Sequence, residues 1–181
     1  SKTYTMDFKQ SFIAQGFNAP AVMSEDYAAL KLLNEILGGG MSRRLFQKFR
    51  EEKPYAYAVG SFFPSRMRPS HFVIYLGLES KNIIDAREEI SGIIKNIVSE
   101  PIAESELTDS KSHLTGTYLM SHQSNSSQAW YLGWWELIGR GYQFDRQYPE
   151  KINRVTADDI KHAAEQYLEA PAADITIQGS P

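Results

Sequence analysis

Three consecutive glycines, Gly38 to Gly40, divide two stretches of helical periodicity, and a Lys53-Pro54 step divides the second from an aromatic, β-branched run. Residues 32–63, LLNEILGGGMSRRLFQKFREEKPYAYAVGSFF, therefore read as helix, tight connection, helix, break and strand. Ser24 caps the first helix, SEDYAALKLLNEILGG, whose Tyr27, Leu30, Leu33, Ile36 and Leu37 fall at core-facing spacing. Ser42 opens the second, with Met41, Leu45, Phe46 and Phe49 on its apolar side. Pro54 ends it, because the residue before a proline is pushed out of the helical region.

The same periodicities organise the rest. TYTMDFKQSFIAQGF alternates around Tyr4, Met6, Phe8, Phe12 and Ala14, which predicts one opening strand with a buried face. YAYAVGSFF and HFVIYLGLE, joined by PSRMRPS, predict an antiparallel hairpin with Phe72, Ile74, Leu76 and Leu78 on one face. Helices are expected over IIDAREEISGIIKNIV, with Ile83, Ile90, Ile93, Ile94 and Ile97 buried, and over ESELTDSKSHLTGTYLM. A final helix starts at Thr156, with Asp159 completing a capping box and Val155 and Ile160 a hydrophobic staple. ADITIQG, after Pro171, predicts a terminal strand. Strands at the start, middle and end with helices between them predict one domain, residues 1–181. Its fold class is α+β, a two-layer sandwich of a mostly antiparallel sheet covered by helices.

Composition narrows the function. The chain has 181 residues, 42% of them hydrophobic and 23% charged, and a net charge of -3 that gives no general attraction to nucleic acid or anionic lipid. No apolar run approaches the ~18 residues that span a bilayer, and the start lacks a signal-peptide layout, so a soluble chain is expected. Zero cysteines exclude disulfides and thiolate chemistry but leave the compartment open: periplasm or cytoplasm in a bacterium.

Few side chains remain for chemistry. His71, His113, His122 and His162 include no pair spaced by four, and His162-Ala-Ala-Glu165-Gln166 lacks the second histidine of H-x-x-E-H, so no metal site is expected. GGGMSRRL is not a P-loop, and a helix-to-helix connection accounts for its glycines. No G-x-S-x-G occurs. Trp130, Tyr131, Trp134 and Trp135 make both faces of one helix aromatic, as core plus packing surface or as a peptide-binding wall. Arg50 and Tyr57, by residue type alone, are a helix-end cation and a strand aromatic. Together they also offer a fixed fork of donors and a neutral phenolic donor across one chain reversal.

The passage quoted above, together with FIAQGFNAP, SEDYAALKLLNEILGGG and YPEKINRVTADDIKHAAEQYL, resembles the pitrilysin or insulinase-type zinc metallopeptidases, which include mitochondrial processing peptidase. The similarity is to their C-terminal half, which lacks H-x-x-E-H. The resemblance implies a substrate-binding half that is inactive alone, with no cofactor in this chain and zinc in a homologous partner half, fused or separate. It implies a peptide substrate, no nucleic acid and no membrane, and it allows a homo-oligomer. It further implies that Arg50 and Tyr57, seven residues apart in REEKPYAY, contact the scissile carbonyl. The family commonly has glycine where Pro54 stands, so the turn here is stiffer. Two rivals remain: a structural or assembly subunit that kept the fold without the activity, and an independent peptide-binding module using the Trp130 to Trp135 surface.

Overall fold

The computed structural model describes residues 1–179. Five strands form one sheet: β1 (Lys2–Met6), β2 (Ser11–Ala19), β3 (Ala56–Phe62), β4 (Ser70–Leu78) and β5 (Ala173–Gly179), in the order β1-β5-β2-β4-β3. Among the described residues only the β1–β5 pair is parallel. The helices are α1 (Tyr27–Gly38), the short α2 (Arg44–Phe46) with a π-helical continuation over Gln47–Glu52, α3 (Ile83–Ser99), α4 (Glu104–Met120), α5 (Asn125–Leu137), α6 (Phe144–Arg154) and α7 (Ala157–Leu168). A mostly antiparallel sheet with helices packed on it is the α+β two-layer arrangement expected.

One face of the sheet and the helices share the core. Ile13, Phe17, Phe72, Ile74, Leu76 and Leu78 are buried there, with the expected stripes of α1 and α3. The α7 capping box forms with both limbs: the Asp159 amide donates to Thr156 Oγ1 at 3.2 Å, and the Thr156 amide donates to Asp159 Oδ2 at 2.8 Å. Val155 and Ile160 are buried beside it.

Four expectations need correction. The opening segment is two strands, because β5 slots between β1 and β2, and the Gly179 amide donates to Ser11 Oγ at 2.9 Å. Tyr4, Met6, Phe8 and Phe12 are exposed and Ala14 only half-buried, because the buried face of β2 is the alternate set Ile13, Gln15, Phe17 and Ala19. α1 starts at Tyr27, not at Ser24, whose Oγ instead accepts from the Asp26 amide at 3.2 Å. Met41, expected on an apolar face, is 75% exposed in the connection before α2. A helix over Phe144–Arg154 with Pro149 inside, α6, adds to the expected set.

The three glycines have different reasons to exist. A Cβ on Gly38 would overlap the backbone of Gly60 and Ser61, where α1 meets β3, and one on Gly39 would strike the Glu35 carboxylate. Gly40 has nothing within 4 Å. We expect Gly38→Ala to lower unfolding free energy by about 1–3 kcal/mol through backbone displacement, and Gly40→Ala to leave it unchanged or raised, read from urea midpoints.

Lys31 on α1 is wedged between the Tyr27 and Phe63 rings and donates to the Phe63 carbonyl at 2.7 Å. Burial pulls its ammonium down from 10.5 to about 8. Between these pH values the unfolded chain keeps a proton that the folded chain has released. This group therefore makes stability rise with pH across that window. Denaturant midpoints at pH 7.5 and pH 9.5 test this: the difference between Lys31→Met and the parent chain should shift in the parent's favour at the higher pH.

Candidate functional site

The segment that carries Arg50 is fixed at its start by a buried ion pair. Arg43 Nε donates to Glu35 Oε1 at 2.9 Å, Arg43 Nη2 lies 2.8 Å from the same oxygen, and Arg43 Nη1 donates to Ser110 Oγ at 3.1 Å. Glu35 is 6% and Arg43 7% exposed. His113 Nδ1 also lies 2.8 Å from Glu35 Oε1. Next in sequence, Arg44 grips Glu106 of α4 with two bonds of 2.8 and 2.7 Å. Lys48 pairs with Glu52 and Glu89, and Lys53 pairs with Glu89, which tethers the segment to α3. The hydrogen bond from Lys53, then the positive charges nearby, hold the Glu89 carboxyl below its ordinary range. Leu45 and Phe49 plug the inner side and are fully buried.

The helix then widens. The Lys53 amide donates to the Lys48 carbonyl at 2.9 Å, an i to i−5 bond, and the Tyr55 amide donates to the Phe49 carbonyl at 3.2 Å. Arg50 lies in this π-helical turn. Its Nη1 donates to the carbonyls of Ala56 and Tyr57 at 3.1 and 3.0 Å, and its guanidinium sits 5.6 Å from the Phe46 ring centre. Arg50 Nε and Nη2 have no hydrogen-bond partner among the described residues.

Tyr57 sits at a register shift between Ala56 and Ala58 on edge strand β3, with its side chain 39% exposed. Its ring lies over Gly77 of β4, where a Cβ would come within 2.7 Å of it. It meets Phe12 of β2 edge-on at 6.2 Å, and its hydroxyl donates to the Ser11 carbonyl at a long 3.4 Å. Partial burial raises the phenol above its ordinary pKa, so it stays a donor at neutral pH. The fold thus brings Arg50 to the main chain of Tyr57 and sends the phenol across the exposed face of the sheet toward β2. Among the described residues no hydrogen bond joins the two head groups.

The other candidates lie elsewhere. Trp135 is buried and its Nε1 donates to the Tyr118 hydroxyl at 2.8 Å. That hydroxyl donates in turn to Asp145 at 2.6 Å, and Asp145 also lies 2.9 Å from His122 Nε2. Trp130 is 58% exposed and stacks on Trp134 at 5.5 Å. His71 is on β4, His113 on α4, His122 just after it and His162 on α7, and no group of three or more side chains among the described residues could hold a metal. The described residues thus offer no ligand set that fits zinc. Sequence reasoning missed Glu35 and Arg43, because charged residues near a helix end normally read as solvated, and Ser110, because a serine inside a helix reads as a solvated polar position; Gly39, demanded by the Glu35 carboxylate, is a signal for the first of them.

Glu35→Ala would strand a buried guanidinium and should cost about 3–5 kcal/mol, whereas Arg44→Ala, which opens a partly exposed pair, should cost about 1 kcal/mol or less. Urea unfolding of both variants checks the contrast.

Residues 2–114 match the family model described as the peptidase M16 inactive domain. The chain is 29% identical over 164 residues to the uncharacterized zinc protease YmxG of Bacillus subtilis, covering 91% of this chain and 40% of that protein. It is 31% identical over 165 residues to an uncharacterized zinc protease of Rickettsia felis, covering 87% and 38%. The chain thus spans about two fifths of the length of these curated relatives. In fold it is similar to the peptidase M16 inactive domain from Pseudomonas fluorescens, with a TM-score of 0.88 at 21% identity over 99% of this chain and 43% of that one. A protease from Helicobacter pylori gives 0.86 at 20% identity, covering 99% and 43%.

Proposed function

Because the chain belongs to the peptidase M16 inactive-domain family, we propose that it is the substrate-binding half of a zinc-dependent peptidase, one domain whose Arg50 and Tyr57 hold the scissile carbonyl. The observation that carries this reading is the state of Arg50. Nη1 is tethered to two carbonyls at the start of β3, which aims a planar cation while Nε and Nη2 remain open to an incoming oxygen. Tyr57 adds a neutral hydroxyl from the same strand, loosely held at 3.4 Å and therefore free to change partner.

Donors held in place before the reaction lower the barrier when negative charge grows on a carbonyl oxygen, because little reorganisation is needed. The partner would be a homologous half that supplies zinc, either fused to this chain or a separate subunit; relatives more than twice as long leave room for the fused case. The isolated chain would not cleave peptide and would bind it more weakly than the two halves together.

A structural or assembly role is the second reading. It is favoured by the same bonds, since Arg50 and Tyr57 both have partners within the chain and could simply lock β3 to its neighbours. Kinetics separate the two. With the zinc-bearing half present, Arg50→Ala and Tyr57→Phe should each lower kcat by about 10²-fold with the melting temperature nearly unchanged. Unchanged kcat with a lowered melting temperature would favour the structural role.

A further inference from the structure

The sheet has a second face that no helix among the described residues covers. Side chains alternate along a strand, and residues paired across strands share a face. With Ile13, Phe72, Ile74 and Leu76 buried under the helices, the alternate positions point the other way. Phe12, Tyr57, Phe62, Tyr75, Ile175 and Ile177 stand there, and the first five of these are 39–44% exposed. Glycines keep the surface close to the backbone: the Tyr57 ring lies over Gly77 and the Tyr75 hydroxyl over Gly60, each at 2.7 Å from where a Cβ would stand. Phe62 meets both His71 and Tyr75, at 5.9 and 6.2 Å.

The charge pattern on this face is one-sided. None of its outward strand positions carries an aspartate or glutamate, and the one full charge among them is Lys2 on β1. Asp174, the carboxylate on β5, points to the helical side and pairs with Arg87 of α3 at 2.5 Å. A lysine or arginine side chain laid on this face would lose water and find no counter-charge. A second copy of the chain would set one such face against another, with two Lys2 ammonium groups and no carboxylate between them. An uncharged extended peptide suits the surface better. Its aromatic or branched side chains would settle among the rings, and the hydroxyls of Tyr57 and Tyr75 with Asn18 could serve its backbone.

We propose that this uncovered sheet face selects peptide segments with aromatic or aliphatic side chains and disfavours basic ones. The proposal rests on the reading of the chain as a peptide-binding half and gives that half a substrate class. The test uses the chain itself with three ten-residue peptides that carry Phe and Leu, Lys, or Glu at alternate positions among neutral polar residues, followed by calorimetry. The Phe/Leu peptide should bind at least about tenfold more tightly than the Lys peptide, and Phe62→Ala with Tyr75→Ala should weaken it by about tenfold. Trp130→Ala, on α5, should leave binding unchanged. Both substitutions on the face replace partly exposed side chains, and circular dichroism melts confirm folding.

Equal or tighter binding of the Lys peptide, binding lost in Trp130→Ala instead, or no binding of any of the three overturns the proposal. So does self-association in sedimentation runs that the face variants abolish. Selective binding without restored cleavage on adding the zinc-bearing half sinks the catalytic reading and leaves this one standing; restored cleavage with no selectivity does the reverse.

Discussion

The Glu35–Arg43 pair sets the direction in which the chain leaves α1, and the rest of the site inherits that direction. Both groups are almost fully buried, and the guanidinium reaches Ser110 as well as the carboxylate. A buried ion pair adds little stability compared with a well-packed apolar substitute, because desolvation offsets most of the attraction. What it fixes is geometry. Two donors on one oxygen and a third on Ser110 hold the backbone at residue 43 against α4, and the adjacent Arg44–Glu106 fork repeats the tether one residue on. Gly39 belongs to the same device, since any side chain there would displace the carboxylate.

The one-sided sheet follows from where the chain spends its helices. α1, α3 and α7 supply the apolar stripes that bury one face, and the peptide connections keep them on that side. The other face then carries rings close to the backbone, because Gly60 and Gly77 give them room. Tyr57 belongs to both aspects of the molecule: its carbonyl receives Arg50 at the sheet edge, and its ring forms part of the open surface. Catalytic positioning and side-chain selection would therefore share one residue.

Legibility in the sequence followed the range of the interaction concerned. The stripes of α1 and α3, the β3–β4 hairpin and the Thr156–Asp159 box are local, and each appears as a spacing within a single segment. The break between β1 and β2 was hidden because alternation runs on through Asp7 and Lys9, while its cause, the insertion of β5, lies some 160 residues away in the chain. α6 was hidden by Pro149 and a polar run, although Phe144, Tyr148 and Ile152 mark its buried side. The π-helical turn leaves no mark in a pattern that three- and four-residue steps already satisfy. Arg50 and Tyr57 stood out through the family resemblance of the surrounding passage, whereas Glu35 and Arg43 looked like surface charges.

Two irregularities fall within eight residues: the widened turn that holds Arg50 and the register shift at Tyr57. Each forfeits regular hydrogen bonding, and such features persist where the surroundings hold them or where function uses them. Here they complement one another. The wide turn places the guanidinium on the carbonyls at the shifted start of β3, and the shift turns the Tyr57 ring across Gly77 toward β2. Pro54 stiffens the link between them by fixing one backbone angle. A regular helix running into a regular strand would keep the same residues seven apart, but it would lack both the tether on Nη1 and the seat for the ring over Gly77. Spacing alone thus does not make the pair; the defects on either side of Pro54 do.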